Sequence, residues 1–110
     1  MSTLDLCQPQ IRIHLCGAVA KHTADQVGRQ LQGALAEGEP VPLWIDMSRV
    51  EFIDSTGLAV VLTTCALAKQ RGQAVVLYEV SAPVRLVLEL TGLDRHLTLM
   101  TAAAAEAKAN

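Results

Sequence analysis

The sequence predicts a small α/β domain: a mixed, mostly parallel sheet of about four to five strands with about four helices packed on it. Three observations predict it. Strand-like and helix-like segments alternate from Ile11 to Met100. The predicted helices are bracketed by capping and stop signals. Ala74-Val75-Val76-Leu77-Tyr78 is an unbroken apolar run, as a central strand covered on both faces requires. Two successive strand-helix-strand units of this kind imply parallel neighbours joined by right-handed crossovers.

Ile11, Ile13 and Leu15 alternate with Arg12 and His14, the period of a half-buried strand, and residues 4–7 ahead of Pro9 are expected to add an edge strand. A turn is expected at Gly17. Thr23 with Gln26 three residues later forms a capping-box pattern, and Val27, Leu31, Ala34 and Leu35 then share one helical face before Gly38 and Pro40 end the helix. Residues 42–47 read as the next strand. A loop carrying Glu51, Phe52 and Ile53 leads to a second helix that starts around Ser55 to Gly57. Its expected buried stripe is Leu58, Val61, Leu62, Cys65 and Ala66, and Gly72 stops it. After the apolar run, Ser81 is expected to cap a third helix with Pro83 in its first turn, Val84, Val87 and Leu88 facing inward, and Gly92 at its end. A short strand over 96–100 and an alanine-rich helix over 101–108 complete the reading. One domain over 1–110 is expected, with its core over about 11–99.

Composition narrows the function classes. Of 110 residues, 51% are hydrophobic and 18% charged, enough apolar surface for a compact core. The net charge of −2 and the scatter of Lys and Arg give no basic stripe, so no nucleic-acid partner is expected. Cys7, Cys16 and Cys65 make an odd count without C-x-x-C spacing and read as reduced thiols. The start Met1-Ser2-Thr3-Leu4-Asp5 has neither the basic residues nor the apolar stretch of a secretion signal, so a cytoplasmic location is expected. The longest apolar stretch, 58–68, contains Thr63 and Thr64 and falls short of the roughly 20 residues of a membrane span, so no membrane insertion is expected. No metal-ligand spacing is visible, and no cofactor is expected.

In such a sheet the loops leaving the carboxyl ends of the strands lie on one edge, where open α/β proteins bind their ligands. Residues 17–23, 46–57 and 80–83 are expected to share it. The densest local signal there is Asp46-Met47-Ser48-Arg49-Val50-Glu51-Phe52-Ile53-Asp54-Ser55-Thr56-Gly57-Leu58, a strand end, a loop and a helix start rich in hydroxyls and carboxylates. On the residues alone, Asp54, Ser55 and Thr56 serve either as helix caps or as a modification site. Asp46 either closes a turn or joins the site.

This stretch resembles the signature of the STAS family: an apolar strand ending in Asp, then an apolar-Asp-Ser-Ser/Thr-Gly-Leu loop entering a helix. The resemblance continues through Lys69-Gln70-Arg71-Gly72, Ser81-Ala82-Pro83-Val84 and Leu90-Thr91-Gly92-Leu93, and covers about 11–99. Asp54-Ser55-Thr56-Gly57-Leu58 is similar to the phosphorylation loop of anti-sigma factor antagonists, which implies Ser55 as acceptor. The resemblance further implies partner switching. The unmodified antagonist binds an ATP-dependent anti-sigma factor serine kinase, is phosphorylated by it and is released, and a serine phosphatase resets it. Asp46, Asp54, Thr56, Gly57, Lys21, His22 and Ser81 are the expected partner-binding residues.

A helix N-terminus offers unpaired N–H groups and a positive dipole end, so a phosphate there is expected to leave the fold intact while adding nearly two negative charges beside Asp46, Glu51 and Asp54. The chain departs from the family pattern at Gly17-Ala18-Val19-Ala20, where antagonists carry Gly-x-x-Asp; Lys21 and His22 are the neighbouring polar candidates.

Three rival functions are distinguishable. An enzyme with Ser55 as nucleophile lacks a Gly-x-Ser-x-Gly elbow, and none of His14, His22 and His96 is indicated as its base. A STAS subunit of a lipid-transport ABC complex would share the fold without the switch, and so would a stressosome-like scaffold.

Overall fold

The computed structural model describes residues 9–35 and 40–103. β1 (Ile11–Val19), β2 (Leu43–Ile53), β3 (Val75–Tyr78) and β4 (Thr98–Met100) form one sheet in the order β1-β2-β3-β4, and every neighbouring pair is parallel. Between them run α1 (Ala24–Gly33), α2 (Ser55–Gln70) and α3 (Ala82–Thr91), with a 3-10 turn at Leu93–Arg95 after α3. The sequence expectation of a small, mostly parallel α/β sheet is met. The expected edge strand at 4–7 lies outside the described residues, and of the expected helix over 101–108 only Ala102 and Ala103 fall within them, both helical.

The period-2 alternation of the strands sorts their side chains onto two faces. Leu15, Leu43, Ile45, Met47 and Leu77 join Val27 and Leu31 of α1, Val61 of α2 and Val84 and Leu88 of α3 in the main core. Burying side chains such as Leu31 and Leu88 contributes about 1.5–3 kcal/mol each. The other face carries Trp44, Val76 and Met100, with Tyr78 packed against them. Arg12 lies 4.8 Å from the Tyr78 ring centre and 5.4 Å from that of Trp44, a cation over two aromatic faces. Val76 and Leu77, both buried but on opposite faces, account for the unbroken apolar run.

Several local expectations are corrected. β1 does not turn at Gly17 but continues to Val19; Gly17, at φ 72°, sits in the strand where its pairing with β2 shifts register. β2 likewise runs past Met47 to Ile53, so Asp46 lies within the strand rather than at its end. The Thr23 capping box does not form. Its hydroxyl donates to Ala18 C=O at 2.8 Å and accepts from Ala20 N–H at 3.0 Å, bracing the tight β1–α1 turn instead. α1 ends at Gly33, ahead of the expected stop, and Ser81 occupies the N-cap position of α3 without a side-chain cap bond. In α2 the fully buried positions are Gly57, Val61, Thr64 and Ala68, while Ala66 is exposed. Thr64 tolerates complete burial because its hydroxyl donates to Val60 C=O at 2.9 Å.

Candidate functional site

The β1–α1 turn and the start of α2 meet at the carboxyl edge of the sheet, and Asp54 joins them. It is the N-cap of α2: its backbone is extended, and its Oδ1 accepts from Gly57 N–H at 2.8 Å. Its Oδ2 accepts from Lys21 N–H at 3.0 Å, across to the turn after β1. The Asp54 N–H in turn donates to Val19 C=O at 3.3 Å. One residue thus bonds to both sides of the junction by three hydrogen bonds.

Gly57 explains how the two segments come so close. A Cβ built on it would lie 1.8 Å from the Val19 carbonyl oxygen and 2.5 Å from its carbon, so only glycine fits. Sequence reasoning placed Gly57 in the site without this reason. Glycine in a helix's first turn costs about 1 kcal/mol against alanine, and that cost is the signal of a close approach.

Ser55 and Thr56, the first two residues of α2, are exposed, as are Lys21 and His22 on the adjoining turn. Ser55, Thr56, Lys21 and His22 therefore form one surface around the half-buried Asp54, with Gly57 buried beneath it. The Ser55 hydroxyl has no hydrogen bond to any described residue. Phe52, 54% exposed, borders the junction at the end of β2.

The Asp54 carboxyl is held below its ordinary value. The Gly57 and Lys21 N–H groups are the main causes, the Thr56 N–H and the charge of His22 add to them, and desolvation opposes. The helix N-terminus is therefore already occupied by an anion, and the Gly57 N–H is not unpaired as the sequence reading assumed.

Asp46 is elsewhere. It pairs in register with His14 on the sheet face opposite the helices, eight residues before Asp54 along the same strand. The five β1 steps from His14 to Val19 that pair with Asp46 to Ile53, plus one more to Asp54, span roughly 20 Å at about 3.3 Å each, more than twice the Debye length of about 8 Å, so the charge of Asp46 is largely screened at Ser55. Its Oδ2 lies 3.2 Å from His14 Nδ1, and its Oδ1 accepts from Ser48 N–H at 2.9 Å and from the Ser48 hydroxyl at 2.7 Å. Partial burial disfavours its charge, but the Ser48 and His14 contacts outweigh this and lower its pKa. Ser48 and His14 both bond to the carboxylate and not to each other, so no nucleophile-base pair is built.

Ser81 is also spent within the fold. Its hydroxyl donates to Val50 C=O at 2.6 Å and its N–H to Met47 C=O at 3.3 Å, stitching the β3–α3 loop to β2. A shallow depression of about 580 Å³ lies where this loop meets the ends of β1 and β2, lined by Cys16, Gly17, Arg49, Glu51 and Pro83 among others. Of the three expected loops, 17–23 meets 54–57 at the end of β2, whereas residues 46–53 are strand and the Ser81 loop lies against Met47 and Val50 within it. Cys16 is exposed and Cys65 half-buried, both free thiols, and burial raises the pKa of Cys65; Cys7 lies outside the described residues. Among the described residues no helix is long and apolar enough to cross a membrane, and no cluster of three His, Cys, Asp or Glu is placed to hold a metal.

Residues 3–102 match the family model described as "Mlab, STAS domain". The chain is 30% identical over 81 residues to the anti-sigma F factor antagonist of Paenibacillus polymyxa, covering 74% of this chain and 69% of that protein. Among solved structures it resembles the unphosphorylated anti-sigma factor antagonist SpoIIAA, with a TM-score of 0.72 at 24% identity over 93% of this chain and 87% of that one. A sulfate transporter family protein from Wolinella succinogenes superposes with a TM-score of 0.74 at 23% identity, covering 91% and 84%. At such identities the two solved structures speak for the fold. With the fold, the family model and the named relative in agreement, the chain belongs to the STAS domain family and within it is similar to anti-sigma factor antagonists.

Proposed function

We propose that this chain is a single-domain cytoplasmic anti-sigma factor antagonist that works by partner switching on Ser55. With Ser55 unmodified it binds an ATP-dependent anti-sigma factor serine kinase through the surface formed by Lys21, His22, Asp54 and Thr56, which the buried Gly57 supports from beneath. In the transfer step the Ser55 Oγ bonds to the γ-phosphorus of ATP, the bond to the bridging oxygen breaks, ADP leaves, and the hydroxyl proton passes to a base of the kinase. The added charge then repels the surface that fitted the neutral hydroxyl. A serine phosphatase hydrolyses the ester and resets the switch.

The single observation that carries this reading is the Ser55 hydroxyl: exposed, without a hydrogen bond to any described residue, and first in a helix whose start is fixed by other residues. Modifying it breaks nothing in the fold. Incubation with the cognate kinase and ATP is expected to add one phosphate, and mass mapping of the phosphopeptide is expected to place it on Ser55. Phosphate on Thr56 alone, or none with a proven partner kinase, refutes the assignment.

A second reading is favoured by the description of the matched family model, Mlab. The chain would then be a constitutive STAS subunit of a lipid-transport ABC complex. Co-purification with an ABC ATPase, and no modification of Ser55, would move the assignment there.

A further inference from the structure

A phosphate attached to the first residue of a helix ordinarily folds back onto the free N–H groups of that turn. In this chain part of that place is taken, the Gly57 N–H. Asp54 Oδ1 holds the Gly57 N–H at 2.8 Å, the Thr56 N–H also stabilises the carboxylate, and Oδ2 is committed to Lys21 N–H at 3.0 Å. The carboxylate cannot swing aside without giving up its bonds to the Gly57 and Lys21 N–H groups. The Asp54 N–H bond to Val19 C=O at 3.3 Å ties the same two segments through the backbone.

We propose, on the reading of Ser55 as phosphoacceptor, that Asp54 is the positioning residue of the switch: by holding the Gly57 N–H and placing its own charge at the start of α2 it withholds that partner from the phosphate and turns it outward. Two anions competing for the same N–H groups repel, so the phosphate stays on the surface and its charge faces the partner. An outward phosphate is both a stronger barrier to the kinase and an open substrate for the phosphatase. Without Asp54 the phosphate would be neutralised by the helix that carries it, and the signal would be muffled.

The test uses the full chain with phosphoserine installed at position 55 during translation, which makes it independent of any kinase. A 31P titration follows the second ionisation of the phosphate in the Asp54 protein, in Asp54→Asn and in Asp54→Ala. Among the described residues, Lys21 and His22 adjoin the site, and both are common to all three proteins. Asn keeps a capping oxygen but removes the charge, and Ala also frees the Gly57 N–H. The expected midpoints fall in the order Asp54 above Asn above Ala, with Ala displaced to lower pH by about half a unit or more as N–H groups bond the dianion. The Gly57 amide resonance should follow the phosphate titration in Asp54→Ala and ignore it in the parent. Coincident midpoints, or a parent phosphate that moves the Gly57 amide, overturn the proposal. Should Asp54→Ala fail to fold, the parent and Asp54→Asn midpoints decide alone. Failure of the kinase mapping above would leave this titration unaffected, so the two results separate.

Discussion

The second half of the molecule's longest strand is framed by two carboxylates that are held in different ways. Asp46, on the sheet face opposite α1, α2 and α3, gathers Ser48 two residues on and His14 on the neighbouring strand into a side-chain cluster. Asp54, just past the strand's end, bonds only to backbone groups, and two of its four hydrogen bonds cross to Val19 at the end of β1 and Lys21 in the turn after it. Both carboxyls lie below their ordinary value, so ionisation state does not separate them. Connectivity does. Removing Asp46 disturbs a patch of one sheet face, whereas removing Asp54 disconnects the two loops that form the candidate surface.

The sharpest way to break the comparison is to force those loops apart. Gly57→Ala puts a methyl group into the Val19 carbonyl, and backbone on both sides leaves no flexible side chain to yield. The expected loss of stability is about 3 kcal/mol or more, at the upper end of overpacking, measured by urea unfolding. A cost below about 1 kcal/mol would mean that the junction yields easily, and the rigid coupling of Ser55 to Lys21 would fall with it.

That junction also marks the limit of what the sequence shows. The strand and helix types followed from periodicity, and the candidate cluster from Asp54 to Gly57 was legible because its hydroxyls, carboxylate and glycine are contiguous. The contact between Val19 and Gly57 was not, since nothing local relates residues that pair only through the crossover. Gly17 was misread because a glycine with positive φ serves equally in a turn and at a strand irregularity. Thr23 and Ser81 were misread for a shared reason: a hydroxyl at an N-cap position can bond to its own helix or to a carbonyl of a nearby strand, and here Ala18 and Val50 offer the strand. Asp46 looked like part of the site because β2 was expected to end there.

Acid titration tests the comparison from another side. A carboxyl whose folded pKa lies below its unfolded value releases its proton more readily when folded. Its stabilisation is complete above the ordinary carboxylate range and is lost as pH falls through the folded pKa. Asp54→Asn and Asp46→Asn are therefore both expected to flatten the stability curve below about pH 4, where carboxylates protonate. Amide exchange should tell them apart. Asp54→Asn is expected to speed exchange at Lys21 by roughly tenfold, and Asp46→Asn to do so at Ser48 and leave Lys21 unchanged. Faster exchange at Lys21 in both would show that the two carboxylates belong to one network.

The smallest expected effect is the most informative about Ser55. A serine at the start of a helix is often its cap, and replacing a cap costs up to about 2 kcal/mol. Here Asp54 caps α2, and the Ser55 hydroxyl bonds to no described residue. Alanine at the first helical position loses no hydrogen bond and has the better helix propensity. Ser55→Ala is therefore expected to change stability by less than about 0.5 kcal/mol, the range of ordinary surface substitutions, while abolishing phosphorylation and leaving partner binding intact. A thermal melt beside a binding titration checks both halves. A loss of more than about 1 kcal/mol would make Ser55 a structural residue, because only a hydroxyl already engaged in the fold costs that much to remove. A near-neutral change would instead match a residue that the fold holds in place, exposed and unbonded, through its neighbours Asp54 and Gly57.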